Sequence, residues 1–339
     1  MNDFREGIRR YIRLAEYNCN RHIHIHTDSG YWLYKNVKDS SMENREVDFD
    51  IDELGFISTP PQPENAEIKI AFLGDSVVES AIVSSEKRFP YHTGVLLSKL
   101  VGKSVKTFNA GYSGVDITRI NALLLTKVVP MNVNAVVCCS CIHDVIKAIE
   151  TEDYHNYFIE RSYEYEYRPN TLGKRVKLAA RDLFPELYRL LYISRHKKEK
   201  AIWSKDKVVP ISNINLIKEK INSVVRNNLI LFIQIARAND IIPILSTEAN
   251  TLKLTSERYI QIFESEIGYD RTQFNELIDF ANNQIRCVCK EMDVLCVDLD
   301  QEMSNHPDYI YDVVHLTDEG SLKAAEIMSN MLTFLNQTP

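Results

Sequence analysis

From residue 67 onward, short apolar runs alternate with longer segments in which apolar residues recur at helical spacing. Short apolar strands separated by amphipathic helices are typical of repeated βαβ units, which build a parallel sheet with helices on both faces. We therefore predict an α/β fold with a five-stranded parallel sheet. The predicted strands cover residues 67–73, 105–109, 134–140, 241–246 and 294–299, and the predicted helices run from Ser76 to about 101 and over 115–128, 213–239, 271–292 and 318–335.

Two regions interrupt this alternation. Residues 1–17 have apolar side chains at helical spacing, and the alternating, turn-rich segments that follow predict a β-hairpin or extended arm. We therefore predict an N-terminal helix and arm over 1–66 and an α/β domain over 67–339. Residues 150–212 are far longer than a crossover requires and are rich in basic side chains, which predicts a cap-like helical insertion. This insertion is either a cap that contacts substrate or a solvent-exposed helical segment whose basic side chains lie on the surface.

Charge and composition narrow the class of protein. The chain has 339 residues, and its 40 Lys and Arg against 47 Asp and Glu give a net charge of −7. This balance argues against a nucleic-acid binder and against a protein held on an anionic membrane surface. No apolar run approaches the roughly 20 residues of a membrane span, and the N-terminal segment lacks the apolar block of a secretory signal. Most of the seven cysteines lie in strand-like runs, so we expect a reducing, cytoplasmic location.

Two short motifs carry candidate chemistry. Ser76 ends the turn Gly74-Asp75-Ser76 directly after the first predicted strand, which places its hydroxyl at the carboxyl edge of the sheet and near a helix N-terminus. Asp312 lies three residues before His315, just before the last predicted helix. An Asp at this spacing can accept the Nδ1–H of the imidazole and leave Nε2 facing a nucleophile, as in a serine hydrolase triad. Each motif alone also fits an ordinary turn or helix cap.

Further candidates follow the second and third strands. Gly111 ends the second strand and can offer an unobstructed backbone N–H, and His143 and Asp144 follow the third strand. Ligands in open α/β sheets bind at the carboxyl ends of the strands. We therefore expect these residues to meet Ser76 and His315 at one edge of the sheet.

Together these segments resemble the four blocks of the SGNH, or GDSL-type, esterase and acyl-hydrolase superfamily. The blocks correspond to residues 74–76, Gly111, residues 141–144 and residues 312–315, in the family's chain order. The resemblance implies a three-layer αβα, flavodoxin-like fold in which Ser76 is the nucleophile, His315 the base and Asp312 its orienter. It also implies an oxyanion hole formed by the N–H groups of Ser76 and Gly111 and by a side chain of the third block.

The third block departs from the family pattern G-x-N-D, because this chain has Cys141-Ile142-His143-Asp144. The family's asparagine donates a side-chain N–H to the oxyanion, and His143 can donate one from a ring nitrogen. Loss of one such donor costs about 2.7–4 kcal/mol of transition-state stabilisation, so the substitution bears on activity. A structural role for His143 at a packed strand end is the alternative. We expect the acidic neighbours Asp75 and Asp144 to contact substrate.

Other motifs are less specific. His22, His24 and His26 alternate and would share one face of a strand, but no neighbouring carboxylate or cysteine completes a zinc motif. Cys138 and Cys141 form a C-x-x-C along a predicted buried strand, where a metal or redox role is not expected. No phosphate-binding loop or dinucleotide fingerprint is present, so we predict neither a metal nor an organic cofactor.

The sequence therefore predicts a serine esterase or acyl-hydrolase that forms an acyl-serine intermediate. The resemblance suggests an O-acylated, in particular O-acetylated, carbohydrate or related small molecule as substrate. Two alternatives stay open: an O-acyltransferase that uses the same triad, and a degenerate scaffold that binds a glycan or a protein.

Overall fold

The computed structural model describes residues 8–10, 16–27, 42, 45–150, 165–167 and 208–337. The chain divides into two compact units, one formed by Leu14–Tyr157 with Val209–Pro339 and the other by Met1–Arg13 with Phe158–Val208. The boundary predicted at residue 66 lies inside the first unit. Most of the predicted insertion, 150–212, lies outside the described residues, and its role as a cap stays a prediction.

The smaller unit contains one described strand pair. Strand β1 (Ile8–Arg10) runs antiparallel to a strand at Tyr165–Tyr167, and Ile8 lies opposite Tyr167. The sequence predicted a helix over these N-terminal residues. At 8–10 that prediction is wrong, because the backbone groups pair with a distant strand in place of the next helical turn. The rest of the predicted helix lies outside the described residues or, at 16 and 17, is irregular.

An antiparallel hairpin precedes the sheet in the larger unit, as the sequence predicts. Strands β2 (Arg21–His26) and β3 (Glu46–Ile51) pair along their length, and Val47, Phe49 and Ile51 are buried on one face of β3. This alternation follows from the opposite directions of successive side chains in a strand. The Ile57 N–H donates to the carbonyl of Asn109 at 2.9 Å, which attaches the chain after the hairpin to the edge of the sheet.

Five parallel strands form the central sheet, and the prediction of an α/β fold with such a sheet is confirmed. Counted in chain order within the sheet, the spatial order is 2-1-3-4-5, which is the flavodoxin-like arrangement. Most strand residues are buried, as expected where helices cover both faces of a parallel sheet. The strands are β4 (Ile68–Gly74), β5 (Val105–Gly111), β6 (Ala135–Cys139), β8 (Ile242–Ser246) and β9 (Leu295–Val297), with β7 being the strand at 165–167.

Helices cover the sheet on its two faces. From β4 the chain crosses to β5 in one direction along the sheet, and from β5 onward it crosses to β6, β8 and β9 in the opposite direction. Because crossovers between parallel strands are right-handed, the two directions place their helices on opposite faces of the sheet. The last helix packs beside the first long one. The described α-helices are α1 (Ser76–Glu79), α2 (Phe89–Val101), α3 (Ile117–Leu123), α4 (Ile142–Glu150), α5 (Ile214–Lys220), α6 (Arg226–Arg237), α7 (Glu257–Glu266), α8 (Arg271–Met292), α9 (Leu299–Met303) and α10 (Asp318–Met331).

Two predicted helices contain a wider turn. A π-helical segment, Leu124–Val128, follows α3, and another, Ile221–Val225, joins α5 to α6 within the single helix predicted over 213–239. The helix predicted over 318–335 is α-helical to Met331 and then tightens into a 3₁₀ turn at Leu332–Gln337. Within the part of the chain that the structure describes, no helix is both long and apolar enough to cross a bilayer.

Candidate active site

The candidate nucleophile lies in the turn between strand β4 and helix α1. Strand β4 ends at Gly74, and the Asp75 carboxylate accepts the Val77 N–H at 2.9 Å, so Asp75 caps the short helix α1 that Ser76 begins. A Cβ at Gly74 would lie 2.2 Å from the carbonyl oxygen of Cys139. Only glycine, which has no Cβ, avoids this clash. The close approach of β4 and β6 thereby fixes where Ser76 leaves the sheet.

The structure brings Ser76, His315 and Asp312 together. The Ser76 Oγ lies 2.7 Å from His315 Nε2, and His315 Nδ1 lies 2.6 Å from Asp312 Oδ2. An ionised carboxylate can only accept, so Nδ1 carries the proton and Nε2 is left to accept the Ser76 O–H. This is the arrangement of a nucleophile, a base and a group that orients the base.

Asp312 is held rigidly by its own loop. Its Oδ1 accepts the N–H groups of Val314 and His315 at 3.0 and 2.8 Å, and its side chain is fully buried. The Thr251 hydroxyl donates to the Asp312 carbonyl at 2.6 Å. Because each Asp312 oxygen has a defined partner, the carboxylate cannot rotate without losing hydrogen bonds.

Charges around His315 favour its protonated form. Burial lowers the pKa of the imidazole, but the charge and hydrogen bond of Asp312 more than offset this effect, so the pKa lies above its ordinary value. The acids Asp75 and Glu79 add to the increase. Stacking against Tyr311, with ring centroids 5.7 Å apart and planes 16° apart, fixes the orientation of the ring. The site is thus built to stabilise an imidazolium.

Glu79 is a buried acid that the sequence analysis missed. It ends helix α1, and its carboxylate accepts the Ser113 hydroxyl at 2.5 Å and the Tyr17 hydroxyl. Burial raises the pKa of Glu79, against these two hydrogen bonds, which lower it. The Tyr17 ring packs edge-on against Tyr112 with centroids 5.0 Å apart. Glu79 thereby ties the N-terminal segment and the loop after β5 to the nucleophile turn. Its spacing of three residues from Ser76 is the only sequence signal for this role.

Gly111 ends strand β5, and its predicted part in an oxyanion hole stays a prediction. Its N–H donates to the Asn109 side chain at 3.0 Å and is therefore not free to bind an oxyanion in this conformation. A Cβ at Gly111 would lie 2.2 Å from the Glu79 nitrogen. Gly111 consequently allows β5 to approach helix α1. Gly114, three residues later, has a φ of 78° and open space around its Cβ position.

His143 and Asp144 lie in the first turn of α4, which follows β6 at the same edge of the sheet as Ser76. His143 is half-buried, and its role as an oxyanion donor stays a prediction. Asp144 is fully buried, with Oδ1 accepting the Ile117 N–H at 3.1 Å and Oδ2 accepting the Ser140 hydroxyl at 2.6 Å.

The structure does not favour the predicted substrate contacts of Asp75 and Asp144, because only 1% of Asp75 and none of Asp144 is exposed. Both carboxylates are instead internal supports: Asp75 caps α1, and Asp144 joins the start of α3 to the end of β6. Burial raises the pKa of Asp75 to about 7, and the neighbouring acids Asp144 and Glu79 act in the same direction.

The remaining motifs form no metal site among the described residues, where no group of three His, Cys, Asp or Glu side chains is arranged to hold an ion. On the exposed face of the hairpin, His22 lies between Asp48 and Asp50, with N···O distances of 3.2 and 2.9 Å, and His24 contacts Asp48 at 2.8 Å. Cys138 and Cys141 are buried, and burial raises the pKa of both thiols. A buried, protonated thiol is a poor nucleophile and ligand.

Comparison with known proteins identifies similar folds. No family model matches the sequence, and no curated protein matches it. The structure is similar to a lipase from a goat rumen metagenome (TM-score 0.47, 12% identity, 78% of this chain and 97% of that chain). It is also similar to a GDSL-like lipase from Bacteroides thetaiotaomicron (TM-score 0.42, 17% identity, 82% and 92%) and to a lipase/acylhydrolase from Enterococcus faecalis (TM-score 0.42, 13% identity, 78% and 95%). None of these likenesses carries chemistry to this chain, whose own side-chain geometry must supply it.

Proposed function

We propose that the protein hydrolyses carboxylic esters through an acyl-serine intermediate. The observation that carries this proposal is the continuous hydrogen-bonded line from Ser76 Oγ through His315 to Asp312, with N···O distances of 2.7 and 2.6 Å. A serine hydroxyl is a weak nucleophile until a base removes its proton, and His315 Nε2 lies within the distance that this transfer requires.

The reaction follows from this geometry. His315 Nε2 takes the Ser76 proton as Oγ attacks the ester carbonyl, and the carbonyl electron pair moves onto oxygen. When the tetrahedral intermediate collapses, the C–O bond to the alcohol breaks and His315 returns the proton to the leaving oxygen. Water then attacks the acyl-serine with His315 again as base, which releases the acid and restores Ser76. The negative Asp312 stabilises the imidazolium in both steps.

The oxyanion requires donors that water cannot displace. We propose the Ser76 N–H, which as the first N–H of α1 has no partner within that helix, together with a ring N–H of His143. Gly111 can join this set only if its N–H leaves Asn109. Two donors from adjacent strand ends suffice for a tetrahedral oxyanion, as in the serine protease arrangement.

For the substrate, we propose an O-acetyl ester of a carbohydrate or a related small molecule. The proposal of an enzyme is favoured over a degenerate binding scaffold because a scaffold has no need to hold Ser76, His315 and Asp312 within hydrogen-bond distance. Transfer to an acceptor hydroxyl in place of water would use the same steps, with the acceptor oxygen attacking the acyl-serine.

The test is hydrolysis of p-nitrophenyl acetate and butyrate, and of an O-acetylated xylo-oligosaccharide, by the wild type and by Ser76→Ala. The matched control is Ser98→Ala. Ser98 lies on helix α2, and its hydroxyl donates to the carbonyl of Lys103, just after that helix. We expect turnover to vanish in Ser76→Ala and to persist in Ser98→Ala. Labelling of Ser76 by a fluorophosphonate, located by peptide mass spectrometry, reports the activated hydroxyl independently of the substrate. Equal turnover or labelling in wild type and Ser76→Ala would overturn the proposal.

A further inference from the structure

The segment that carries Asp312 and His315 has little regular structure of its own. Residues 304–317 lie between helices α9 and α10, and these residues, all of them described, contain no helix or strand beyond an isolated bridge between Ile310 and Leu316. In a helix or strand, repeated backbone hydrogen bonds fix the position of every residue. Here the position of each group depends on individual hydrogen bonds to its backbone and side chain.

The turn of residues 312–315 is closed by hydrogen bonds within itself. Asp312 Oδ1 accepts the His315 N–H at 2.8 Å, and the Tyr311 N–H donates to the His315 carbonyl at 3.0 Å. The Asp312 carboxylate and the imidazole ring therefore belong to one unit, which we call the 312–315 turn. The attachment of this turn to the rest of the larger unit decides how far His315 Nε2 lies from Ser76 Oγ.

Thr251 joins the 312–315 turn to the loop after strand β8. The Thr251 side chain is buried, with 3% of the residue exposed, and its hydroxyl donates to the Asp312 carbonyl at 2.6 Å. The Thr251 N–H donates to the neighbouring carbonyl of Val313 at 3.0 Å. One residue thus holds two successive carbonyl groups of the turn, and the turn cannot shift without losing buried hydrogen bonds.

The backbone of Thr251 is held in turn by Arg271. The Arg271 guanidinium donates to the Thr251 carbonyl at 3.0 Å and to the Leu254 carbonyl. Arg271 is the first residue of helix α8, where a positive side chain is unfavourable because the helix dipole is positive at that end. A residue that is unfavourable for its own helix is expected where its side chain has another role.

We propose that Thr251, held in place by Arg271, is a positioning residue that sets the distance between His315 Nε2 and Ser76 Oγ. The inference rests on the proposed function for its effect on catalysis. Thr251 acts through the backbone of the 312–315 turn. When its hydroxyl is removed, a buried carbonyl loses its donor, and the turn shifts to satisfy that carbonyl elsewhere.

The first test does not depend on activity. It compares the imidazole ¹⁵N NMR resonances of His315 in the wild type, Thr251→Val, Thr251→Ser and Ser76→Ala, at a pH where the ring is neutral. Valine is similar in size to threonine but lacks the hydroxyl donor, whereas serine keeps it. We expect the Nε2 resonance of Thr251→Val to move toward that of Ser76→Ala, and that of Thr251→Ser to resemble the wild type. An Nε2 resonance in Thr251→Val equal to that of the wild type would overturn the proposal.

Thr93→Val is the matched control. Thr93 is fully buried on helix α2, and its hydroxyl donates to the Phe89 carbonyl at 2.6 Å, the distance found for Thr251. Both valine variants therefore lose a buried hydrogen bond of the same kind, at a similar cost in stability. Only Thr251→Val should change the His315 resonance, and an equal change in both variants would overturn the positioning role.

A second variant tests the same attachment from outside the loop. Arg271→Met removes both donors to that loop at a half-buried position, which keeps the proposal testable if Thr251→Val does not fold. The control is Arg237→Met, because Arg237 also donates from one guanidinium nitrogen to two backbone carbonyls, those of Met292 and Asp293 at 2.7 and 3.0 Å. We expect the Nε2 resonance to move in Arg271→Met only. The same resonance in both variants would overturn the part assigned to Arg271.

The third test asks whether the position of the turn affects catalysis. For p-nitrophenyl acetate, we expect Thr251→Val to lower kcat by about 10- to 100-fold with little change in KM, the order of loss from a small misplacement of reacting groups. Thr251→Ser should recover most of this loss. Equal kcat in Thr251→Val and Thr93→Val would overturn the effect on catalysis. If the wild type lacks esterase activity altogether, the proposed function fails, while the His315 resonance still decides on the role of Thr251.

Discussion

His315 Nε2 lies 2.7 Å from Ser76 Oγ, although 239 positions separate the two residues in the chain. The sheet explains this proximity. Ser76 leaves the sheet at the carboxyl end of its second strand in spatial order, and the loop that carries His315 follows the last strand and is anchored to the loop after β8 through Thr251. The contact thus depends on the fold of the larger unit, and we expect removal of Ser76, His315 or Asp312 to affect the other two.

Asp312→Asn is expected to lower kcat for p-nitrophenyl acetate by about 10⁴-fold, the loss measured for the equivalent change in a serine protease. An amide that donates to His315 Nδ1 would stabilise the wrong tautomer and remove the charge that favours the imidazolium. The control is Asp308→Asn, whose side chain is 69% exposed and lies 3.9 Å from His306. A loss of similar size in both variants, or none in Asp312→Asn, would contradict the assigned role.

The pH profile of kcat/KM reports the protonation of His315. The base must be neutral to accept the Ser76 proton, so activity should rise with pH through a midpoint above 6.5, the ordinary imidazole pKa. Because the charge of Glu79 helps to raise that pKa, Glu79→Gln should move the midpoint to lower pH. Glu326→Gln, on the exposed face of α10, is the control and should leave the midpoint in place. A midpoint that does not move in Glu79→Gln would show that this charge does not reach His315.

The sequence allowed the sheet to be predicted because its strands are short, apolar and bounded by turns. The same pattern located Ser76 at the end of the first strand, and Asp312 and His315 just before the last helix. The role of Glu79 could not be predicted. Its burial depends on how separate strands and helices pack, and an acidic side chain is expected to be exposed in the absence of such information. Gly111 was predicted for its N–H, which stays a prediction, whereas the close approach of its Cα to helix α1 could not be predicted from the sequence.

His143 distinguishes this site from the G-x-N-D pattern, and its contribution can be measured by substitution. If a ring N–H stabilises the oxyanion, His143→Ala should lower kcat by about 10²- to 10³-fold with little change in KM, the cost of one such donor. His143→Asn restores a side-chain N–H donor and should recover part of the loss. The comparison variant is His92→Ala on helix α2. A KM effect without a kcat effect would assign His143 to substrate binding.

Tyr17 is expected to stabilise the protein through Glu79. Tyr17→Phe removes a donor from a buried carboxylate, and loss of one partner of a buried polar group costs about 1–3 kcal/mol. The matched control is Tyr269→Phe, since its hydroxyl contacts the exposed Glu150 at 3.3 Å. Urea unfolding of both variants should show a larger loss in Tyr17→Phe. Equal losses would mean that Glu79 finds another partner when Tyr17 is removed.

Gly111→Ala tests the close approach between β5 and the nucleophile helix. The new Cβ would lie 2.2 Å from the Glu79 nitrogen and 2.6 Å from the Val78 carbonyl carbon, both backbone atoms that cannot rotate away. Helix α1 must therefore move and carry Ser76 with it, so we expect a loss of stability together with a fall in kcat. The control is Gly102→Ala, which ends helix α2 at a φ of 70° with open space around its Cβ position. That change costs about 1–2 kcal/mol of backbone strain. Thermal unfolding and turnover of the two variants separate the effects, because strain alone lowers stability in both, whereas displacement of Ser76 lowers turnover only in Gly111→Ala.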